Sequence, residues 1–217
     1  AISKDGFTNP WGAQVGRTVL ACGGNDLRIR ARAAAAAGSD ARMNGCDLPV
    51  IINSGSGNQG ITCTMPVVVY AEEMGVDKDI LYRALVLTNL ASIHQKRYVG
   101  NLSAYCGAVS AGAAAACGIA YLNGADYEVI GKTLINSLGN VGGIICDGAK
   151  ASCAAKISSA VDAGIMGYEM AKRDLFFPFG EGLVEKDYEQ TIQNIGRMGC
   201  HGMKSTDVEI LNIMIGK

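Results

Sequence analysis

Proline is scarce in this chain, at 4 of 217 residues, and histidine scarcer still, at 2. Punctuation therefore falls to its 29 glycines, and the long segments between them are free to keep helical spacing. No run of lysine or arginine exceeds two residues and the formal net charge is −1, which excludes a phosphate-tracking surface or a patch for anionic membranes. Nucleic acid and membrane are thus not expected partners. No apolar stretch approaches the roughly 20 residues of a membrane-spanning helix, and no charged start leads into a short apolar signal core. The absence of any Cys-x-x-Cys pair removes the zinc-ribbon reading. No Ser-His-Asp arrangement can be drawn with so few histidines. The chain begins Ala1-Ile-Ser-Lys and its first methionine is Met43, so the expectation is a processed product or a piece of something longer.

What is present is 49% hydrophobic residues, enough for a substantial core in one domain spanning residues 1–217. The spacing predicts an all-α, multi-helix domain with buried small-residue central helices. Helices are expected over Val15 to Cys22 and Asp26 to Asn44, the second carrying the Ala33 to Ala37 run. Further helices are expected from Thr62 to Met74, from Asp77 as a cap to about Gly100, and from Leu102 to Leu122. Asp126 caps a helix to Gly139, and Asp147 caps a long one to about Lys172. Two more run from about Lys186 to Met198 and from Thr206 to Ile215. The helix from Leu102 is apolar and small on every side, which suits only an interior.

The 8 cysteines lie in Ala/Gly-rich segments without a secretion signal, so reduced thiols and a cytoplasmic location are expected. Cys106, in Leu102-Ser-Ala-Tyr-Cys-Gly-Ala-Val-Ser, and Cys146, in Gly142-Gly-Ile-Ile-Cys-Asp-Gly-Ala, stand among residues small enough to leave room around sulfur. A thiol wrapped for packing alone has bulkier neighbours. With Asp147 as cap, a helix N-terminus would point free N–H groups at Cys146 and favour thiolate; the plain alternative is a buried cysteine at a helix start. Cys153 follows on the same helix face, at a rise of about 10 Å that suits a shared ligand set only if the backbone breaks between them. Cys117, Cys22, Cys46, Cys63 and Cys200 read as packing residues.

The segment Ser54-Gly55-Ser56-Gly57-Asn58-Gln59-Gly60 reads as a loop ahead of a helix, with hydroxyls, amides and flexible backbone for gripping a carboxylate or phosphate. It lacks a Walker lysine and does not match G-x-G-x-x-G. A flexible connector is the competing reading. His94 shares the face of Ile80, Ala84, Leu87 and Ala91 and reads first as a core histidine, while Lys96 or Arg97 can reach an anion ahead of Cys106.

Ser39-Asp-Ala-Arg-Met, Asn53-Ser-Gly-Ser-Gly-Asn-Gln-Gly-Ile, Thr64-Met-Pro-Val-Val-Val, Leu102-Ser-Ala-Tyr-Cys and Ile144-Ile-Cys-Asp-Gly-Ala, in that order, resemble the serine dehydratase alpha-chain superfamily. The resemblance is closer to its L-cysteine desulfidase branch and covers the chain from about Gly12 onward. It implies an oxygen-sensitive [4Fe–4S] cluster held by three cysteines, two of which match Cys106 and Cys146; Cys153 remains a further candidate ligand on its spacing alone. The family's third ligand lies in an N-terminal Gly-Cys-Thr-Glu-Pro-like motif that is missing here. The chain therefore looks like the C-terminal half of a longer protein, and the cluster is expected in the full-length protein and not in this piece.

The implied chemistry is loss of sulfide from L-cysteine or water from L-serine to give pyruvate and ammonia, without pyridoxal phosphate. The Ser54 to Gly60 segment would hold the substrate carboxylate, and Lys96, Lys150 and His94 are the candidate α-proton bases. Expected partners are a small amino-acid substrate, the N-terminal half of the same protein and a second copy in a homodimer. A non-enzymatic metal or redox-sensing helical domain accounts for the cysteines but not the loop. A small-anion-binding module accounts for the loop but not the thiols.

Overall fold

The computed structural model describes residues Ala1–Lys217. Ten α-helices follow one another: α1 (Ile2–Thr8), α2 (Val15–Gly23), α3 (Leu27–Met43), α4 (Gly57–Met74), α5 (Lys78–Val99), α6 (Gly107–Leu122), α7 (Tyr127–Val141), α8 (Cys153–Ala171), α9 (Tyr188–Arg197) and α10 (Lys204–Met214). A single π-helical turn, Met198–Gly202, separates the last two. There is no strand, and the fold is all-α; the extended pairing amounts to isolated bridges at Asn53 with Ser56 and Tyr105 with Ile145. No helix is long and apolar enough to cross a membrane.

The starts of four helices follow from acidic caps, Asp187 accepting from the Glu189 N–H at 2.8 Å ahead of α9. Asp26 accepts from the Arg28 N–H at 2.9 Å, Asp77 from the Asp79 and Ile80 N–H groups at 2.9 and 3.0 Å, and Asp126 from the Val129 N–H at 3.0 Å. Gly75 ends α4 in the left-handed region at φ 63°, where a side chain would be strained.

Helix α6 forms the centre, with every residue buried except Gly107 and Tyr121, and packs on α4, α5, α7 and α8. Its small side chains let neighbouring backbones come close. A Cβ on Gly112 would lie 2.7 Å from the Ala160 carbonyl carbon in α8, and one on Gly164 would lie 2.7 Å from the Gly112 carbonyl oxygen. On the opposite side, a Cβ on Gly118 would lie 2.2 Å from Thr88 Oγ1 of α5.

Four expectations are corrected. Helix α4 begins at Gly57, not Thr62, because Ser56 caps it and the glycines at 57 and 60 serve close approach and not flexibility. A Cβ on Gly57 would meet Arg42 Nε at 2.4 Å and one on Gly60 the Ile51 carbonyl oxygen at 1.8 Å. Pro66 consequently lies inside the helix. Helix α6 begins at Gly107, not Leu102, since Ala104 to Cys106 are drawn into the bridge with Ile144 to Cys146. Helix α8 begins at Cys153, and Asp147 does not cap it: that carboxylate pairs with Lys150 and Lys156. On α5 the buried line is rotated from the expected one. It shares Ala84 but continues through Thr88, Ser92, Gln95 and Val99, leaving Leu87, Ala91 and His94 half-buried and Ile80 exposed. Helix α1 and the π-helical turn were not anticipated.

Asp40, in the middle of α3, is fully buried and its Oδ2 accepts the Gly16 N–H at 2.8 Å, closing the first turn of α2 from a distance. Burial raises its pKa above the ordinary carboxylate value, opposed by the N–H groups of Gly16 and Val15. A raised folded-state pKa stabilises the native state most below the unfolded value, and that contribution is lost as pH rises through the folded value. Asp40→Asn keeps an acceptor for Gly16 and lacks this dependence, so in urea unfolding its stability relative to the native protein should improve as pH rises from about 4 to 7. A separate expectation concerns the α6–α8 seam. Gly112→Ala should lower the unfolding free energy by about 1–3 kcal/mol, while Gly143→Ala, with nothing within 4 Å of its added Cβ, should stay within about 0.5 kcal/mol.

Candidate functional site

The bridge between Tyr105 and Ile145 sets two distant cysteines side by side. The Cys106 N–H donates to the Ile144 carbonyl at 3.1 Å and the Cys146 N–H to the Ala104 carbonyl at 2.5 Å. Cys106 is the N-cap of α6, so the N–H groups of its first turn lie near that sulfur, and the backbone at Gly148 lies near the sulfur of Cys146. The two thiols lie close enough to titrate as a pair. Their interaction, with burial adding to it, raises the pKa of Cys106, and the same interaction lowers that of Cys146 against its own desolvation. The helix N-terminus thus serves Cys106, where the sequence had assigned it to Cys146.

Both sulfurs open into a cavity of about 290 Å³, whose walls also carry Gly55, Ser56, Asn58 and Gln59 from the start of α4, and Cys153. Ser54, Gly57 and Gly60 do not line it. Ser54, at φ 50°, turns its hydroxyl to Asn53 Oδ1 at 2.8 Å, and the two glycines are the close-approach points already described. Asn53 fastens this segment to α5 through Asn89 Oδ1 at 2.9 Å and Ser92 Oγ at 3.1 Å. Cys153 Sγ points at the Gly148 carbonyl, 3.7 Å away, and helps shape the turn after Cys146.

The candidate bases part company. Lys96 lines the cavity, and burial lowers its pKa while the nearby thiols oppose the shift. His94 does not reach it. The imidazole Nε2 lies 2.6 Å from Glu189 Oε2, and Tyr98 donates to the other oxygen of that carboxylate at 2.6 Å, so His94 joins α5 to α9. Its half-exposed position departs from the core reading, because the buried face of α5 is rotated away from Ile80. Lys150 also stays outside, held by Asp147, whose carboxyl is pulled down to about 2 by Lys150 and Lys156.

Sequence reasoning missed Arg42. The motif Ser39 to Met43 was noticed, but nothing in helical spacing tells which cavity the last turn of a helix faces. Arg42 lines the same cavity, and Nη1 donates to Asn58 Oδ1 at 3.3 Å. No aspartate or glutamate lines this cavity, whose basic residues are Arg42 and Lys96. Buried Cys63 and Cys117 are ordinary core thiols, pushed up to about 12 by desolvation. A larger hollow of about 440 Å³ beside α7 is lined by Leu138, Phe177 and Ile195 and contains neither thiol nor cation.

The sequence model of the serine dehydratase alpha chain family matches residues 1–212. The chain belongs to that family. It is 55% identical over 217 residues to a UPF0597 protein of Desulfitobacterium hafniense (strain Y51), covering 100% of this chain and 50% of the relative. A UPF0597 protein of Finegoldia magna is 53% identical over 216 residues, covering 100% of this chain and 52% of that one. One from Treponema denticola is 48% identical over 219 residues, covering 99% and 51%. The chain thus spans about half the length of the curated relatives it matches. No solved structure matches it.

In this member of the serine dehydratase alpha chain family, His94 makes a half-exposed hydrogen bond to Glu189 and Lys150 a half-exposed ion pair with Asp147, contacts that are weak in water. His94→Ala should cost no more than about 1 kcal/mol in urea unfolding and Lys150→Ala about 0.5 kcal/mol or less; larger losses would reveal a tighter role than these contacts give.

Proposed function

We propose that the full-length protein is an iron–sulfur-dependent lyase, independent of pyridoxal phosphate, that removes sulfide from L-cysteine or water from L-serine and yields pyruvate and ammonia. The observation that carries this reading is the meeting of Cys106 and Cys146 with the N-terminus of α4 in one cavity free of carboxylates. Family membership supports a lyase more broadly.

The donor set suits a [4Fe–4S] cluster in part. Two neighbouring sulfurs lie beside backbone N–H groups, and Gly107, Ala108, Gly148 and Ala149 leave space beside them. No group of three or more His, Cys, Asp or Glu side chains is gathered to hold a metal ion. We therefore assign the remaining ligand to the other half of the protein. When bound, the cluster would supply a Lewis-acidic iron for the departing β-substituent.

The other steps fall to this chain. The first turn of α4 holds the carboxylate, whose negative charge suits the free N–H groups at a helix start. That fixes the Cα–H within the cavity, where the Lys96 amine, in its neutral form, takes the α-proton. The electron pair left on Cα forms the Cα=Cβ bond as the β-substituent leaves. The resulting enamine tautomerises, and water hydrolyses the imine to pyruvate and ammonia. Location in the cavity favours Lys96 over His94 and Lys150.

Full-length protein reconstituted anaerobically with iron and sulfide should form pyruvate and ammonia from L-cysteine or L-serine, with sulfide from the former. Cys146→Ala should abolish both cluster absorbance and turnover, and Lys96→Met should lower kcat by about 100-fold or more with absorbance kept. Absence of product from both amino acids in cluster-loaded protein would remove the lyase reading and favour a redox-sensing domain.

A further inference from the structure

Of the half-buried arginines, Arg28 and Arg32 pair with Asp162 and Arg30 with Glu73, but Arg42 has no carboxylate partner. Its guanidinium lies against Gly57, where a Cβ would come within 2.4 Å of Nε, and so sits at the first turn of α4. Asn58 is turned toward it and away from solvent, accepting from Arg42 through Oδ1 and donating Nδ2 to Met43 Sδ at 3.0 Å. A cation held this way, facing a cavity without carboxylates, is poised for an anion from outside.

The same turn of helix carries an orphan of opposite character. Gln59 is 7% exposed, and its Oε1 has no hydrogen-bond partner although the side chain lines the cavity. Gly107 is what makes room for it, since a Cβ there would lie 2.6 Å from Gln59 Cδ. A buried carbonyl-type acceptor left unpaired costs about 1–3 kcal/mol, and a ligand N–H donor would recover it.

We infer that Arg42 and Gln59 form a two-ended clamp for a zwitterionic α-amino acid, Arg42 with the α4 N-terminus taking the carboxylate and Gln59 Oε1 taking the ammonium. The inference rests on the proposed reading of the cavity as an amino-acid site and gives that site its selectivity. Asn58 is a positioning residue in this arrangement: it orients the guanidinium. An adjacent acceptor and cation discriminate against ligands that lack either end, because the unmatched protein group then stays desolvated without a partner.

The test uses full-length protein under argon and calorimetric titration with L-serine, ethanolamine (no carboxylate) and 3-hydroxypropionate (no ammonium). The native protein should bind L-serine at least about 10-fold more tightly than either analogue. Arg42→Met should weaken L-serine by about 10- to 100-fold and leave ethanolamine unchanged; Gln59→Leu should weaken L-serine and ethanolamine but not 3-hydroxypropionate. Arg42→Lys should restore part of the carboxylate preference, and the unchanged analogue in each case reports an intact fold. Variants that keep the native preference, or that weaken all three ligands alike, overturn the clamp. If cluster-loaded native protein turns L-serine over while Arg42→Met retains its selectivity, the clamp alone is lost. If the native protein neither binds nor converts L-serine or L-cysteine, the amino-acid reading falls with it.

Discussion

The site depends on a pair of backbone hydrogen bonds. Residues 104 to 106 and 144 to 146 are far apart in sequence, and only the exchange between Cys106 and Ile144 and between Cys146 and Ala104 brings the two thiols together. Two such bonds hold little on their own in water, each being worth about 1 kcal/mol net. They persist because both segments are short leads into or out of packed helices: Cys106 opens directly into α6, and Ile144 follows the end of α7. The small-residue packing of α6 on α7 and α8 fixes the leads, and the leads fix the sulfurs.

Much of the helical frame was legible because it rests on local chemistry. Asp26, Asp77 and Asp126 cap helices through their own side chains, and Gly75 stops one through its own φ. The errors arise where a distant contact decides. Gly57 and Gly60 read as flexible, yet Arg42 and the Ile51 carbonyl press against them, and composition cannot separate a glycine that bends from one that makes room. Asp147 has the form of a cap but finds Lys150 and Lys156, the second supplied by the following helix. His94 shared an apolar spacing of which only Ala84 is fully buried, because the interior beside α5 continues through the polar Thr88, Ser92 and Gln95.

The candidate site was legible in its thiols and helix start more than in its charges. Cys106, Cys146 and the Ser56 to Gln59 turn carry local cues, namely small neighbours and a helix start. Arg42 and the unpaired oxygen of Gln59 carry none, since each acquires meaning only from which partners the fold withholds. A purely structural domain has no need to keep a half-buried cation without a carboxylate partner and a buried acceptor without a donor in one hollow. A module that binds anions alone has no need of two adjacent thiols, and a thiol domain alone has no need of the cationic wall. The cavity combines all three.

A core seam built from alanine and glycine also reverses the usual asymmetry of mutational tolerance. Where leucine or phenylalanine fills a core, truncation is the common injury and leaves a hole. Between α6 and α8 there is almost no side chain to remove, while Gly112 and Gly164 meet backbone atoms directly. Sequence drift along this seam is therefore confined to exchanges among the smallest residues. A lineage that enlarged one position would have to move a whole helix, and with it the lead that carries Cys106.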